Sequence, residues 1–267
     1  MNTFLAITQR KIRSINKLKG LFRQPIQTFF LDSFLKPALD FPFIIEKAKL
    51  NEHDILVREM YRSFYPDEPV SFALKFRCDP KLDELVYDAL AENLSVVVKC
   101  KYSGDILAAC INRTTNPWDP NILDRIACTL CSRGKSILHL RAHLMRAHDL
   151  WNYYGVQKIF DVQHVYVRRE ERKQQIPWHM ITASRNIAAD CGYTIFRVIS
   201  TNEYLSKVCE KYRMRKVYDL PYCAYIGADW KPVCEPPPPH FSAKTYIDMN
   251  THLSIEKIEQ LMREKKL

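Results

Sequence analysis

Between Gly155 and Gly192 this chain has no glycine, and the intervening residues read as a strand, a basic turn and a helix. Phe160, Val162, Val165 and Val167 fill a run, residues 160–167, that stops at a charged cluster, which is strand composition. The cluster from Arg168 to Lys173 carries four cations and two anions. Pro177 stands where a helix begins, because the N–H it lacks has no partner in a first turn anyway. Met180, Ile181, Ser184, Ile187, Ala188 and Cys191 follow at helical spacing, and Gly192 closes the helix. A helix start presents unpaired N–H groups and a partial positive charge, so the turn suits an anion, phosphate above all. The plainer alternative is a solvated charged connection between strand and helix.

A chain of 267 residues that is 47% hydrophobic and 12% aromatic can bury a core of moderate size, which excludes wholesale disorder. No apolar run approaches the roughly 18 residues a membrane span needs. Nine cysteines is an odd count, and Cys100, Cys110, Cys209 and Cys223 sit in apolar runs. They read as reduced core residues of an intracellular protein, cytoplasmic by this argument, and not as a disulfide framework. The net charge of +10 is unevenly placed: residues 1–31 hold six cations and no acid, which leaves +4 for the rest. The folded part is therefore not strongly basic, and nucleic acid is not expected as a partner.

Residues 1–42 read as a basic amphipathic extension, with Ile12, Ile15, Leu18, Phe22, Ile26 and Phe29 at steps of three and four. Three readings compete for it: a mitochondrial transit peptide, which gives the alternative localisation, a membrane-surface helix, or a helix packed on the domain. A domain is expected over residues 43–230. Its elements are a strand at Phe43–Glu46, helices at Asn51–Phe64 and Pro80–Leu94, and a hairpin of Leu94–Lys101 with Ile106–Arg113. A mostly helical insertion spans Pro120–Tyr154 before the strand and helix described first. A strand at Thr194–Ser200, a helix at Asn202–Tyr212 and strands at Met214–Asp219 and Tyr222–Gly227 complete it. Residues 231–267 read as a proline-rich spacer, Pro236–Pro239, and a terminal helix, Ser254–Lys265.

This order of elements resembles the GNAT superfamily of acetyl-CoA-dependent N-acetyltransferases, and most of all the invertebrate arylalkylamine N-acetyltransferases. Three segments carry the resemblance. Phe64-Tyr65-Pro66-Asp67-Glu68-Pro69 matches a Phe-x-x-Asp-Glu-Pro stretch after the first helix. Val165 to Pro177 stands where the superfamily has strand, Arg-x-x-Gly-x-Gly/Ala, helix. Glu210-Lys211-Tyr212 stands where the family has Glu-Lys-Leu-Gly-Phe. The resemblance implies an α/β fold, a mixed, mostly antiparallel twisted sheet flanked by helices. It also implies acetyl-CoA as co-substrate, no metal, and a small-molecule amine, an arylalkylamine, that attacks the thioester directly. Backbone groups of Val165, Tyr166 and Val167 would hold pantetheine where the strand splays from Thr194–Ser200. Arg172, Lys173, Gln174, Gln175, Ile176, Pro177 and Trp178 would hold the pyrophosphate. Glu68 would act as general base and Tyr204 as general acid. Asn202 and Leu205 stand near positions where the family carries functional serines, with Ser206 beside them.

The cofactor turn departs from the pattern. Arg172 and Ile176 match, but the two small positions hold Gln175 and Pro177. A side chain at the first and a missing N–H at the second predict weakened binding, by ~1.5–3 kcal/mol for each charge-assisted bond lost. The rival from another class is a non-catalytic CoA-binding or interaction protein that kept the fold. Cys128-x-x-Cys131 with His143 and His148 has near-finger spacing, but it begins inside a helical apolar pattern and is expected to hold no metal.

Overall fold

The computed structural model describes residues 42–172 and 175–249. The N-terminal stripe, Lys173, Gln174 and the helix expected at Ser254–Lys265 lie outside the described residues. Seven strands form one sheet: β1 (Phe43–Lys47), β2 (Val96–Cys100), β3 (Ile106–Thr115), β4 (Ile159–Val167), β5 (Ile195–Ser200), β6 (Arg215–Pro221) and β7 (Ser242–Met249). Their order is β1-β2-β3-β4-β5-β7-β6. Every neighbouring pair is antiparallel except β4 with β5. The mixed, mostly antiparallel sheet expected from the resemblance is thus present.

Helices cover both faces, so the central strands are buried on both sides and read as continuous apolar runs. They are α1 (His53–Glu59), α2 (Pro69–Ala73), α3 (Pro80–Ala91), α4 (Asp119–Ala127), α5 (Ser132–Arg146), α6 (Leu150–Tyr154), α7 (Ile176–Asp190) and α8 (Glu203–Lys211). A π-helical turn, Met60–Phe64, continues α1, so the helix expected at Asn51–Phe64 is composite. The β2–β3 turn closes at Gly104, whose φ of 76° suits glycine and whose N–H donates to the Cys100 carbonyl. α7 buries Ile176, Met180, Ile181, Ser184 and Ala188, but Ile187 of the face read from the spacing is only half-buried and Cys191, just past the helix end, is exposed. Of the cysteines read as core, Cys110 and Cys209 are buried, Cys100 is half-buried and Cys223 is exposed.

A buried ionic cluster ties the strands to the helical insertion. Asp161 of β4 accepts from Arg197 Nε of β5 at 2.7 Å and from Arg141 Nη2 of α5 at 2.7 Å. Arg197 also donates to Thr115 Oγ1 of β3 and lies over the Trp151 ring of α6. Burial alone would raise the Asp161 carboxyl, but the two guanidiniums outweigh it and hold it below the usual range.

The C-terminal part differs from the sequence reading. Tyr222–Ala224 is a 3-10 turn and not a strand. The seventh strand comes instead from Ser242–Met249, inside the segment read as a spacer, and lies between β5 and β6. The domain expected to close at residue 230 therefore continues through 249. The signal was weak because Lys244 and Asp248 interrupt the apolar residues Ala243, Tyr246 and Ile247, just after a proline run.

Candidate functional site

The site is built where β4 leaves β5. The two strands pair only over Phe160–Val162 with Phe196–Val198. On the other edge Ile111 partners His164 and Asn112 partners Val162, so Gln163 is bulged out of register. Past the bulge β4 stays on β3, while β5 continues on β7. The Arg168 N–H donates to the Leu107 carbonyl of β3. Backbone groups alternate sides along a strand, so the N–H groups of Val165 and Val167 face the gap instead. That gap opens into a groove of about 760 Å³, with Val165, Tyr166 and Val167 along one wall and Thr201, Tyr204, Lys207 and Lys211 along the other.

The basic turn forms one end of the groove, which Arg172, Gln175, Pro177 and Trp178 also line. Arg172 donates through Nε to the Val167 carbonyl at 3.1 Å and forms an ion pair with Asp67. Arg169 forms a second pair with Asp67. Burial works to raise the Asp67 carboxyl, yet hydrogen bonds from Arg169 and Arg172 prevail and depress it. An acid thus occupies the cation expected to meet pyrophosphate. Gln175 has φ 57°, a left-handed conformation, with no side-chain cap bond. Where the resemblance calls for glycine, the chain keeps glycine's backbone shape with a glutamine. Ile176 is buried, so only its backbone reaches the turn. Trp178 stacks on Tyr212, centroids 3.7 Å apart, with Lys211 Nζ 4.9 Å from its centroid.

Glu68 is buried and begins α2, with Pro69 at the first helical position. Its Oε1 accepts from the Val70 N–H at 3.2 Å and the Thr201 hydroxyl at 2.7 Å, and Oε2 accepts from the Ser71 N–H at 2.5 Å. A carboxylate has about four acceptor positions, so roughly one remains, on Oε2. Tyr204, 61% exposed, packs edge-on against His240. The His240 Nδ1 accepts from the Glu203 N–H at 3.1 Å, which leaves the proton of the neutral ring on Nε2. Burial lowers the His240 pKa, opposed by Glu68 and Glu203. Ser206 is buried and donates to Ser200 Oγ, so it serves the fold.

A smaller cavity of about 100 Å³ adjoins the groove. Phe64, Glu68, Gln163, Ile199 and Thr201 line both, so Glu68 stands at their junction. The rest of its lining is leucine-rich, with Arg113, Arg141 and His164 as its other titratable groups besides Tyr65. Sequence reasoning did not single out Thr201, His240 or this cavity. Each depends on contacts between distant segments, and His240 lies in the supposed spacer. The one local cue was Thr201-Asn202 between a strand and a helix cap.

Three of the four zinc candidates have other contacts. Cys131 caps α5 through Gly134, His143 packs on Tyr225, His148 packs on Tyr153, and Cys128 is exposed. No group of three or more metal-ligating side chains occurs among the described residues. No helix among them is long and apolar enough to cross a membrane.

Solved structures supply the comparison. A mosquito arylalkylamine N-acetyltransferase like 5b superposes with TM-score 0.73 at 20% identity, over 78% of this chain and 99% of that one. This chain has the fold of that N-acetyltransferase. Arylalkylamine N-acetyltransferase 2 from Aedes aegypti gives 0.73 at 19% identity, over 78% and 99%. A Drosophila melanogaster polyamine N-acetyltransferase, which forms N-acetylagmatine, gives 0.71 at 20%, again over 78% and 99%. No protein-family model and no curated protein sequence matches the chain.

Proposed function

We propose that the protein is an acetyl-CoA-dependent N-acetyltransferase that acts on a small amine. The observation that carries this reading is the junction at Glu68: one carboxylate lines both a long groove along the unpaired edge of β4 and a side cavity of about 100 Å³. In this reading pantetheine lies along Val165–Val167, and their two N–H groups divide between it and the acetyl carbonyl. Arg172, the Gln175 turn and Trp178 receive the pyrophosphate, with Lys173 and Gln174 between them.

The amine enters from the smaller cavity as an ammonium ion. Glu68, with its remaining acceptor position on Oε2, takes a proton through a bridging water. The free nitrogen then forms a bond to the acetyl carbonyl carbon. The Val165 or Val167 N–H stabilises the oxyanion in a preorganised, water-poor site. Collapse breaks the C–S bond, and the departing thiolate takes a proton from the Tyr204 hydroxyl, which solvent restores. The product nitrogen loses its second proton to solvent.

The non-catalytic rival draws on two observations: Asp67 holds Arg172, and Pro177 withholds a backbone donor from the first turn of α7. One set of measurements separates the two. Acetyl transfer is followed by thiol release across a panel of amines, with acetyl-CoA affinity measured by calorimetry. Release above background with at least one amine, reduced about 10²-fold or more by Glu68→Gln with acetyl-CoA affinity kept, supports the enzyme. Tight acetyl-CoA binding with no transfer to any amine sinks it.

A further inference from the structure

The smaller cavity carries charge in a particular arrangement. Glu68 marks its junction with the groove, while Arg113 and Arg141 face it from β3 and α5. Arg141 pairs with Asp161, but the same carboxylate also serves Arg197. These three groups, of which Asp161 and Arg197 are fully buried, therefore sum to one positive charge. Arg113 Nε lies 3.8 Å from Glu92, a loose pair, and donates to the Thr114 carbonyl. His164 adds a ring whose Nδ1 is buried and has no hydrogen-bond partner among the described residues. An orphaned polar atom beside the cavity needs a partner, which water or a ligand supplies.

The lining between these ends is apolar, including Leu82, Leu85 and Leu138. The cavity is thus polarised, with an acid at its mouth and excess positive charge with an unsatisfied ring nitrogen elsewhere. A diamine would set its second cation against two guanidiniums in a poorly solvated space, where like charges repel strongly. An amine with a remote carboxylate would meet opposite charge at both ends.

Resting on the acetyltransferase reading, we propose that the acceptor is an amine carrying a carboxylate at its far end across a short apolar spacer, an ω-amino acid and not a diamine. In this reading the carboxylate bonds Arg113 and Arg141, the spacer lies on the leucines, and the ammonium meets Glu68.

Three compounds of similar length test it on the full chain: 4-aminobutyrate, butylamine and 1,4-diaminobutane. Each is measured twice, for kcat/KM with acetyl-CoA and for calorimetric affinity without turnover. The expected order is 4-aminobutyrate, then butylamine, then 1,4-diaminobutane, with at least tenfold between the ends. Arg113→Gln, at a side chain 22% exposed and outside the Asp161 cluster, should shrink that ratio at least threefold with the thermal midpoint kept. Equal affinities, a preference for the diamine, no binding of any compound, or an unchanged ratio in Arg113→Gln would overturn the proposal. If affinities keep the expected order but no compound is acetylated, the site stands and the enzyme reading falls.

Discussion

Glu68 and Thr201 are 133 residues apart in sequence and meet through a 2.7 Å hydrogen bond from the threonine hydroxyl to Oε1. That bond joins the start of α2 to the end of β5 across the mouth of both cavities. With two backbone donors already on the carboxylate, it fixes which oxygen stays available.

Thr201→Val keeps the side-chain shape and removes the donor. A hydrogen bond to a charged group contributes about 1.5–3 kcal/mol, and part of it should appear in the barrier. Turnover with an accepted amine should fall about tenfold, the equivalent of ~1.4 kcal/mol, while acetyl-CoA affinity stays within about twofold. Unchanged turnover would show that Thr201 only supports the fold.

Gln175→Gly should stabilise the protein. A non-glycine residue in the left-handed region stores about 1–3 kcal/mol, and the glycine's unfolded-state entropy offsets about 0.5–1 kcal/mol of that. Urea unfolding should show a net gain of about 1 kcal/mol, with m unchanged. Acetyl-CoA should also bind more tightly, because the backbone can approach the phosphates. A loss of affinity would mean that the glutamine side chain is itself a ligand.

Much of the fold was legible because its signals are local. The Tyr102-Ser103-Gly104-Asp105 turn, the valines of β2 and the α7 spacing each declare an element within a dozen residues. The seventh strand was not legible, since β7 is identified by its partners β5 and β6 and not by its own pattern. The groove residues Glu68, Val165, Val167, Arg172 and Tyr204 do line one space. Their employment could not be read in advance. That Asp67 would hold Arg172, or that Gln175 would adopt a positive φ, follows from how separate segments pack. The buried cluster of Asp161, Arg141 and Arg197 was invisible for the same reason, because one charge from each of three elements leaves no motif.

Acid should weaken the fold through His164. Burial foremost, with Arg141 adding and Asp161 opposing, pushes its folded-state pKa down to about 3. Its unfolded value is about 6.5. Above that value both states are neutral, and the contribution to stability is fully present. As pH falls below it the unfolded chain takes the proton and the folded chain does not, so stability is lost down to about pH 3, by at most ~1.4 kcal/mol per unit. Urea midpoints from pH 7 to 4.5 should decline in the wild type and decline less steeply in His164→Gln. Parallel slopes would assign the acid sensitivity to other groups.

Asp67 offers a direct test of the cofactor end of the groove. Its carboxylate pairs with both Arg169 and Arg172, so an arriving pyrophosphate meets cations already partly neutralised. Asp67→Asn removes the charge, keeps the shape, and leaves an amide oxygen for one guanidinium. If the groove takes a pyrophosphate, acetyl-CoA should bind several-fold more tightly to Asp67→Asn, with a steeper loss of affinity as salt rises, because less of the local positive potential is cancelled within the protein. The effect should be absent for a pantetheine thioester that lacks phosphates. Weaker binding of acetyl-CoA would show instead that Asp67 acts by holding Arg172 in place, since the oriented guanidinium would then matter more than its unpaired charge. Equal binding of both ligands to both proteins would move the phosphates away from Arg172 altogether.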